Sequence, residues 1–369
     1  MLDWVPRWLR WVFGALVMAM VLWFLVIPQF GEADRALGAV TRVHLGFVLA
    51  GGALVAVAVF AQAELTRVVL PAGERPGRFD MVQLELASTA VSHTVPGGTA
   101  AGTALAYRLL TQQGAQGSSA GFALGIRGIG SALVLNAILW AALLVSIPTQ
   151  GFDSRYTTAA VLGTVLLTAA GVMAVGLLRT PEATTKLMCR VAQPIPLIDA
   201  DKVPQVVGRL SEQLRTLVAD RRLAAAAIGW SAAYWLALAA ALWVLLHAFG
   251  WTGHPVSVLV AFGIVNVLAA IPVTPRGLGV LEAVLIPMLV GFGAPATVAT
   301  LGVVSWRLLS FWAPIPLGTL SYVSLRVSQR GAATRQETAG ELADLSRTSR
   351  ESFGDWAERH ALRRRDSGA

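Results

Sequence analysis

The sequence has few charged residues and one cysteine, and both shortages exclude whole classes of protein. Asp, Glu, Lys and Arg make up 14% of the 369 residues, whereas a soluble domain usually carries about 25%. The single cysteine, Cys189, excludes an intramolecular disulfide and any metal site built from several cysteines. We expect it to be an unreactive thiol in a loop. No phosphate-binding loop motif occurs and the five histidines are scattered, so we predict neither a cofactor nor an enzymatic activity.

Long apolar runs occupy most of the chain instead. Hydrophobic residues make up 55% of the sequence, and a run of about 20 such residues crosses a bilayer core of about 30 Å. The backbone in lipid must satisfy its own hydrogen bonds, so these runs are expected to be helices. We therefore predict an all-α, polytopic membrane helix bundle with about six full spans. The predicted spans are 10–29, 45–66, 120–147, 157–178, 223–249 and 297–323.

Two further apolar regions, 81–113 and 257–293, are interrupted by proline and glycine. The first contains STAVSHTVPGGTAAGTALAYRLL and the second NVLAAIPVTPRGLGVLEAVLIPML. Each half is too short to cross a bilayer, and the interruption does not suit a continuous helix. We predict that each region is a re-entrant hairpin of two half-helices whose tip lies inside the membrane.

The distribution of positive charge predicts the topology. Arginine and lysine concentrate in segments 67–80 and 179–222 and in the tail from Arg326 onward, and such segments usually stay cytoplasmic. This explains the net charge of +8 without a nucleic-acid partner. It predicts a multi-pass plasma-membrane protein with both termini in the cytoplasm. The two hairpins then enter from opposite sides, which gives an inverted repeat of the kind common in transporters.

The same reading divides the chain into two parts. Residues 1–325 form a transporter-like membrane domain, in which 179–222 is a cytoplasmic connector. The apolar spacing within 203–222 predicts an amphipathic helix that lies on the membrane surface or packs on the bundle. Residues 326–369 form a charged cytoplasmic tail, partly disordered or helical.

A polar stripe precedes the first interruption. Glu85, Thr89 and His93 follow one another at intervals of four residues on an otherwise apolar helix. A carboxylate within the bilayer is costly and normally faces a cavity or a partner. We interpret the stripe as lining a cavity, and the alternative is that it holds neighbouring helices together.

A helix is predicted to start inside the membrane after each interruption, and helix N-termini favour anions. Arg276 lies at the second tip and Arg108 lies beyond the first, so a lipid phosphate is a suitable ligand. Glu282 is expected to pair with one of these arginines, and a purely structural Arg276–Glu282 pair is the alternative. The predicted substrate-binding residues are Glu85, Thr89, His93, Pro96, Gly97, Gly98, Arg108, Asn266, Pro272, Pro275, Arg276, Gly277, Gly279 and Glu282.

Two more arginines, Arg127 and Arg307, fall within predicted spans. We expect them to line a water-filled path, because an ionisable residue within a membrane span usually faces the bundle interior or a water-filled cavity.

The motifs VPGGTAAGTALAYRLL and IPVTPRGLGVLEAVLIPMLVGFGAP resemble those of the lysylphosphatidylglycerol synthase membrane region, also called the flippase-like domain family. The resemblance covers most of the chain up to about residue 325. The chain departs from the family pattern at Arg276, where glycine is usual, and at Ala101 and Thr103, where a Gly–Glu pair is common. The matching positions of the two motifs are Pro96, Gly97, Arg108, Pro272, Pro275, Gly277, Gly279 and Glu282.

The resemblance implies a transporter of phospholipids, without the soluble synthase domain that family members often carry. We therefore predict a flippase-like transporter of an anionic or phosphate-bearing lipid, including lipids of the polyprenyl-phosphate type, working with a separate synthase or glycosyltransferase. One alternative is a non-transporting membrane partner that binds a lipid-linked glycan or a glycosyltransferase. A weaker alternative is a membrane-embedded lipid transferase that uses Glu85 and His93.

Overall fold

The computed structural model of the protein describes five long stretches, residues 45–95, 98–150, 178–192, 203–268 and 279–327, and a few residues between 164 and 176. The predicted span 10–29, most of the span 157–178, both predicted tips except Gly98 and Gly279, and the tail beyond residue 327 lie outside these stretches.

Within the described stretches every regular element is a helix, as predicted. The α-helices are α1 (Leu45–Val69), α2 (Arg78–Thr94), α3 (Gly98–Gln112), α4 (Gly117–Gly125), α5 (Ser131–Gln150), α6 (Pro181–Ala192), α7 (Val203–Ala219), α8 (Arg221–Ala248), α9 (Pro255–Leu268), α10 (Val280–Gly291) and α11 (Ala296–Arg307). A 3-10 turn occupies Ala72–Glu74, and π-turns occupy Ile126–Gly130 and Leu308–Trp312.

Four helical spans are long and apolar enough to cross a membrane: Leu45–Val69, Gly117–Val145, Arg221–Ala248 and Ala296–Val327. They agree with four of the predicted spans to within a few residues. We call Gly117–Val145 the Arg127 span and Ala296–Val327 the Arg307 span, after an arginine that lies about one-third of the way along each. The re-entrant hairpins and the complete inverted repeat remain predictions.

Each of these two spans contains a π-turn beside its arginine. In the Arg307 span the N–H of Ala313 donates to the carbonyl of Leu308 at 2.9 Å, five residues earlier. Pro314 follows directly and lacks an N–H, so the regular α-helical ladder cannot continue there. In the Arg127 span the N–H of Ser131 reaches the carbonyl of Ile126 in the same way.

Helix α8 lies at the centre of the described bundle and runs antiparallel to α1. Near one end of the pair, Gly51 of α1 lies against Leu245, and nearer the other end Phe60 contacts Trp230 edge-to-face at 5.9 Å. Leu245 is fully buried in the main apolar core. Since α2 follows α1 and α9 follows α8, the two broken regions begin at opposite ends of this pair. That is the relation which the predicted inverted repeat requires.

Helices α2 and α3 pack as a close antiparallel pair. Gly98, at the start of α3, faces the backbone of Ser92, and Gly102 faces Ser88 and the hydroxyl of Ser92. A Cβ atom at Gly98 would lie only 1.9 Å from the Ser92 carbonyl oxygen. The glycines of the first interruption therefore allow the two half-helices to touch along their backbones.

The segment 179–222 contains helix α6 in addition to the helix predicted from residue 203. Cys189 lies in helix α6 and is partly buried, so its expected loop position is wrong. The amphipathic helix predicted at 203–222 ends at Ala219. It ends there because the Asp220 carboxylate accepts hydrogen bonds from the N–H groups of Arg222 and Leu223 and so caps the N-terminus of α8.

Candidate functional site

The polar stripe on α2 is buried. Glu85 is 5% exposed and His93 is 8% exposed, and Thr89 between them is half-buried. The Thr89 hydroxyl donates to Oε1 of Glu85 at 3.3 Å. The three residues therefore share one face of α2, as their spacing predicts, and this face points into the bundle.

Glu85 has a cationic partner in the Arg127 span. Nη2 of Arg127 lies 2.6 Å from Oε1 of Glu85, and Nη1 lies 3.5 Å from the Ser88 hydroxyl. Both charged side chains are largely buried. The structure gives Arg127 a specific carboxylate partner on the first broken region. The water-filled path that Arg127 was expected to line stays a prediction.

Glu282 forms a second buried ion pair, with an arginine other than the two expected from the sequence. Nε of Arg307 lies 2.5 Å from Oε1 of Glu282. Arg108, one of the expected partners, is exposed on α3. Because Arg108 faces outward, it does not serve as the partner of Glu282. The other expected partner, Arg276, lies outside the described residues, and its proposed pairing with Glu282 stays a prediction.

The second oxygen of Glu282 caps its own helix. Oε2 accepts a hydrogen bond from the N–H of Gly279 at 2.8 Å, at the start of α10. Gly279 has a φ of 83°, which favours glycine at this position. From the sequence, the N-terminus of this helix was expected to be available to bind an anionic ligand. The structure shows that the Glu282 carboxylate already occupies part of it.

Phe311 connects the two broken regions. Its carbonyl oxygen lies 2.8 Å from Nδ1 of His93, and the two rings stack with centroids 4.2 Å apart. The guanidinium of Arg307 lies 4.8 Å from the centre of the same phenyl ring. A continuous series of contacts therefore runs from the stripe on α2 through Phe311 and Arg307 to Glu282 on α10.

These contacts show which part of the Arg307 span lies beside the end of α2 and the start of α10. Gly318 packs against Leu86, and Phe311, earlier in the span, packs against His93, so α2 runs antiparallel to it. Arg307, which binds Glu282 at the start of α10, is one turn before Phe311. The inner ends of both broken regions therefore reach the middle of one long helix, from opposite directions.

Arg307 has hydrogen-bonding capacity left over. The residue is 7% exposed, and within the described stretches its Nη2 has no hydrogen-bond partner. In contrast, both Nη atoms of Arg127 have partners. A buried donor without an acceptor is costly. Among the described residues, this buried nitrogen of Arg307 is thus without an acceptor.

The other predicted site residues are more dispersed. Gly98 is buried at the start of α3. Asn266 is half-buried on α9, where its Nδ2 donates to the carbonyl of Phe262 in its own helix. The predicted site residues outside the described stretches are Pro96, Gly97, Pro272, Pro275, Arg276 and Gly277.

Sequence reasoning missed how Arg127 and Arg307 are paired. A signal was present, because each broken region is followed by a span with one arginine about one-third of the way along it. Each broken region also contains one carboxylate that can meet that arginine, Glu85 or Glu282. Phe311 was missed because its contacts with His93 arise from helix packing, and an apolar residue within a span gives no sign of them in the sequence.

A comparison with protein families covers most of the chain. The family described as the lysylphosphatidylglycerol synthase TM region matches residues 11–318. The chain belongs to this family. The match confirms the resemblance that the two interruptions predict, and the matched region includes Glu85, Arg127, Glu282 and Arg307. Among curated proteins, no match to the chain was found. The family assignment supports a lipid-related membrane protein, and it leaves the lipid and the activity open.

Proposed function

We propose that the protein is a flippase-like transporter that moves an anionic or phosphate-bearing lipid between the leaflets of the plasma membrane. In this proposal both termini are cytoplasmic, the lipid headgroup enters the bundle, and the acyl chains remain in the bilayer. The observation that carries the proposal is the meeting of both broken regions at the middle of the Arg307 span.

The charges at this meeting point support a functional role. Burying a charge within a membrane helix is unfavourable, and such residues usually mark a path for a polar substrate. Two ion pairs are buried in the bundle, Glu85–Arg127 and Glu282–Arg307. Each joins a helix of a broken region to the span that follows that region. Apolar residues of similar volume often give equal or greater stability than a buried ion pair, so a purely structural role does not account well for these charges.

The contact between His93 and Phe311 supports a mechanism of alternating access. It joins α2, in the first broken region, to the span that follows the second one. Rocking of one repeat against the other would break or move this contact and expose the headgroup site to each side of the membrane in turn.

The same geometry makes the lipid transferase alternative less suitable. A general acid or base must be within hydrogen-bond reach of its substrate and have a free site for the proton. The carboxylate of Glu85 is held by Arg127 and Thr89. It is therefore engaged by the protein itself and poorly placed to exchange a proton with a substrate.

The test is a vesicle assay with purified protein and fluorescent phospholipids. Exposure of inner-leaflet label to an external quencher, in the absence of any partner protein, would support the transporter. Lipid binding without translocation would support the non-transporting partner. Conversion of the lipid to a new species, detected by mass spectrometry, would support the enzyme. Either of the last two results would overturn the proposal.

A further inference from the structure

Two buried polar atoms on the Arg127 span have no hydrogen-bond partner among the described residues. One is the carbonyl oxygen Oδ1 of Asn136, a residue that is 7% exposed, and the other is the indole nitrogen Nε1 of Trp140. Leu139 and Leu143 on the same helix belong to an apolar cluster with α9. A buried polar group without a partner is unfavourable, so two of them one turn apart call for a physical reason.

The two atoms are complementary. Residues four apart lie one above the other on an α-helix, and a long side chain usually leans toward the preceding turn. This directs the ring of Trp140 toward the turn that carries Asn136. Nε1 is a donor and Oδ1 is an acceptor, yet the two atoms do not bond to each other. One group that both donates and accepts can complete the pair.

The Arg127 span and α9 run antiparallel. The span begins beside the end of α1, because Oε2 of Glu74 accepts a hydrogen bond from the N–H of Gln116 at 2.9 Å. Since α1 is antiparallel to α8, the Arg127 span runs in the same direction as α8. Helix α9 returns beside α8, where the rings of Phe262 and Trp235 make an edge-to-face contact at 6.1 Å. The Arg127 span is therefore antiparallel to α9.

This packing places Asn136 level with Asn266. Leu139 packs against Gly263, and one turn closer to the start of α5 the corresponding position on α9 is Asn266. The Nδ2 of Asn266 donates to the carbonyl of Phe262 in its own helix at 2.8 Å. Asn266 therefore leaves Oδ1 of Asn136 without a donor, although both amides lie at one level of an apolar interface.

The polarity of the two unpartnered atoms limits the ligand. An ionised phosphate or carboxylate has only acceptors and cannot donate to Oδ1 of Asn136. An ammonium group has only donors and cannot accept from Nε1 of Trp140. A hydroxyl group does both, and it brings no charge into an apolar interface.

The position of Trp140 indicates that the ligand comes from the bilayer. Trp140 is partly exposed, and Ala137, Ala141 and Leu144 beside it are exposed. An exposed apolar surface on a membrane span faces the acyl chains of the lipids. The site therefore borders the bilayer, where a lipid can reach it.

We propose that Asn136 and Trp140 bind a hydroxyl group of a lipid headgroup, which donates to Oδ1 of Asn136 and accepts from Nε1 of Trp140. The ligand is a lipid whose headgroup is an uncharged sugar or polyol. This inference goes beyond the proposed function and does not depend on translocation, because the site consists of residues outside both ion pairs.

Direct binding tests the class of ligand. The purified full-length protein is titrated in lauryldimethylamine oxide, a detergent without hydroxyl groups, with glucosyl dioleoylglycerol, dioleoyl phosphatidylcholine and soluble glucose. Native mass spectrometry gives the dissociation constants. We expect the glucosyl lipid to bind most tightly, because it combines hydroxyl groups with acyl chains. Binding of phosphatidylcholine or of glucose as tight as that of the glucosyl lipid would overturn the inference.

Two variants test the two atoms separately. Asn136→Leu removes the acceptor at a similar side-chain volume, and Trp140→Phe removes the N–H but keeps an aromatic ring. We expect each variant to weaken binding of the glucosyl lipid about three- to tenfold, the value of one neutral hydrogen bond. Binding of phosphatidylcholine should not change. Unchanged affinity for the glucosyl lipid would mean that only water bridges the pair, and the inference would be wrong.

The thermal midpoint without added lipid separates a binding role from a structural one. Asn136→Leu removes a buried carbonyl that has no partner, so the midpoint should stay or rise. Trp243→Phe is the matched control for Trp140→Phe, because Nε1 of Trp243 donates to the carbonyl of Gly253 at 3.0 Å. The control should lower the midpoint and leave the affinity for the glucosyl lipid unchanged. A fall of both the midpoint and the affinity in Asn136→Leu would indicate a structural role and overturn the inference.

Discussion

Nε of Arg307 lies 2.5 Å from Oε1 of Glu282, and this ion pair ties the start of α10 to the middle of the Arg307 span. The next turn of the span carries Phe311, whose carbonyl group and ring both contact His93 of α2. One short stretch of helix therefore holds the inner ends of both broken regions. Lipid handling and stability should both depend on it, and measurements can separate the two effects.

The Glu282–Arg307 pair should show strong coupling in stability. Removing one partner of a buried ion pair leaves an uncompensated charge, which costs about 3–5 kcal/mol. We expect Glu282→Gln and Arg307→Gln each to lower the thermal midpoint, and the double variant to be less destabilised than the sum of the two. The measurement is a double-mutant cycle on thermal unfolding in detergent.

The transport rate in the same cycle should behave differently. We expect it to stay low in the double variant, because both side chains contribute to the headgroup site and not only to the fold. Recovery of transport together with stability would reduce the pair to a structural role.

Both interruptions should be shielded from water by the membrane. In a background without Cys189, cysteines at Thr99 and Leu278 should react slowly with membrane-impermeant thiol reagents from either side. Thr99 is a better position than Gly98, because a side chain at Gly98 would clash with the carbonyl of Ser92. Fast labelling of either cysteine, at the rate of an ordinary surface loop, would refute the re-entrant arrangement.

The close approach of α2 and α3 should make Gly102 intolerant of a side chain. A Cβ atom there would lie 1.9 Å from the Ser92 hydroxyl and 2.5 Å from the carbonyl of Ser88. We expect Gly102→Ala to destabilise the protein by about 1–3 kcal/mol, as overpacking usually does. Gly121→Ala is the control, since nothing lies within 4 Å of a Cβ at Gly121. Equal thermal midpoints for the two variants would contradict the described packing.

Arg276 should contribute charge to the headgroup site from the second tip. We expect Arg276→Gln to slow the transport of phosphatidylglycerol while the thermal midpoint changes little, because a polar glutamine can still occupy a tip. Arg276→Lys should retain more activity, since a point charge partly replaces the guanidinium. Equal transport rates for the wild type and Arg276→Gln would remove Arg276 from the site.

Much of the fold follows from hydropathy. The four described spans match predicted ones because a membrane helix has a fixed length and an apolar composition. The interruptions were predictable because clustered proline and glycine disfavour a continuous helix. The stripe of Glu85, Thr89 and His93 was predictable because an α-helix repeats every 3.6 residues, which places side chains four apart on one face.

The partners of the site residues were not predictable in the same way. Local spacing suggested Arg276 or Arg108 for Glu282, but the structure pairs it with Arg307, which lies on another helix. The bond between His93 and the Phe311 carbonyl joins residues more than 200 positions apart, and Phe311 lies in a π-turn. Such contacts are set by how whole helices pack.

The central claim is that this chain alone moves an anionic or phosphate-bearing lipid across a bilayer. The most direct measurement is the loss of fluorescence after an external reductant is added to vesicles with labelled phosphatidylglycerol in both leaflets, at increasing protein-to-vesicle ratios. The account predicts that the protected inner-leaflet signal disappears in every vesicle that contains the protein, and that Arg307→Lys slows this loss. An inner-leaflet signal that stays protected at every ratio, with folded protein in the vesicles, would contradict the account.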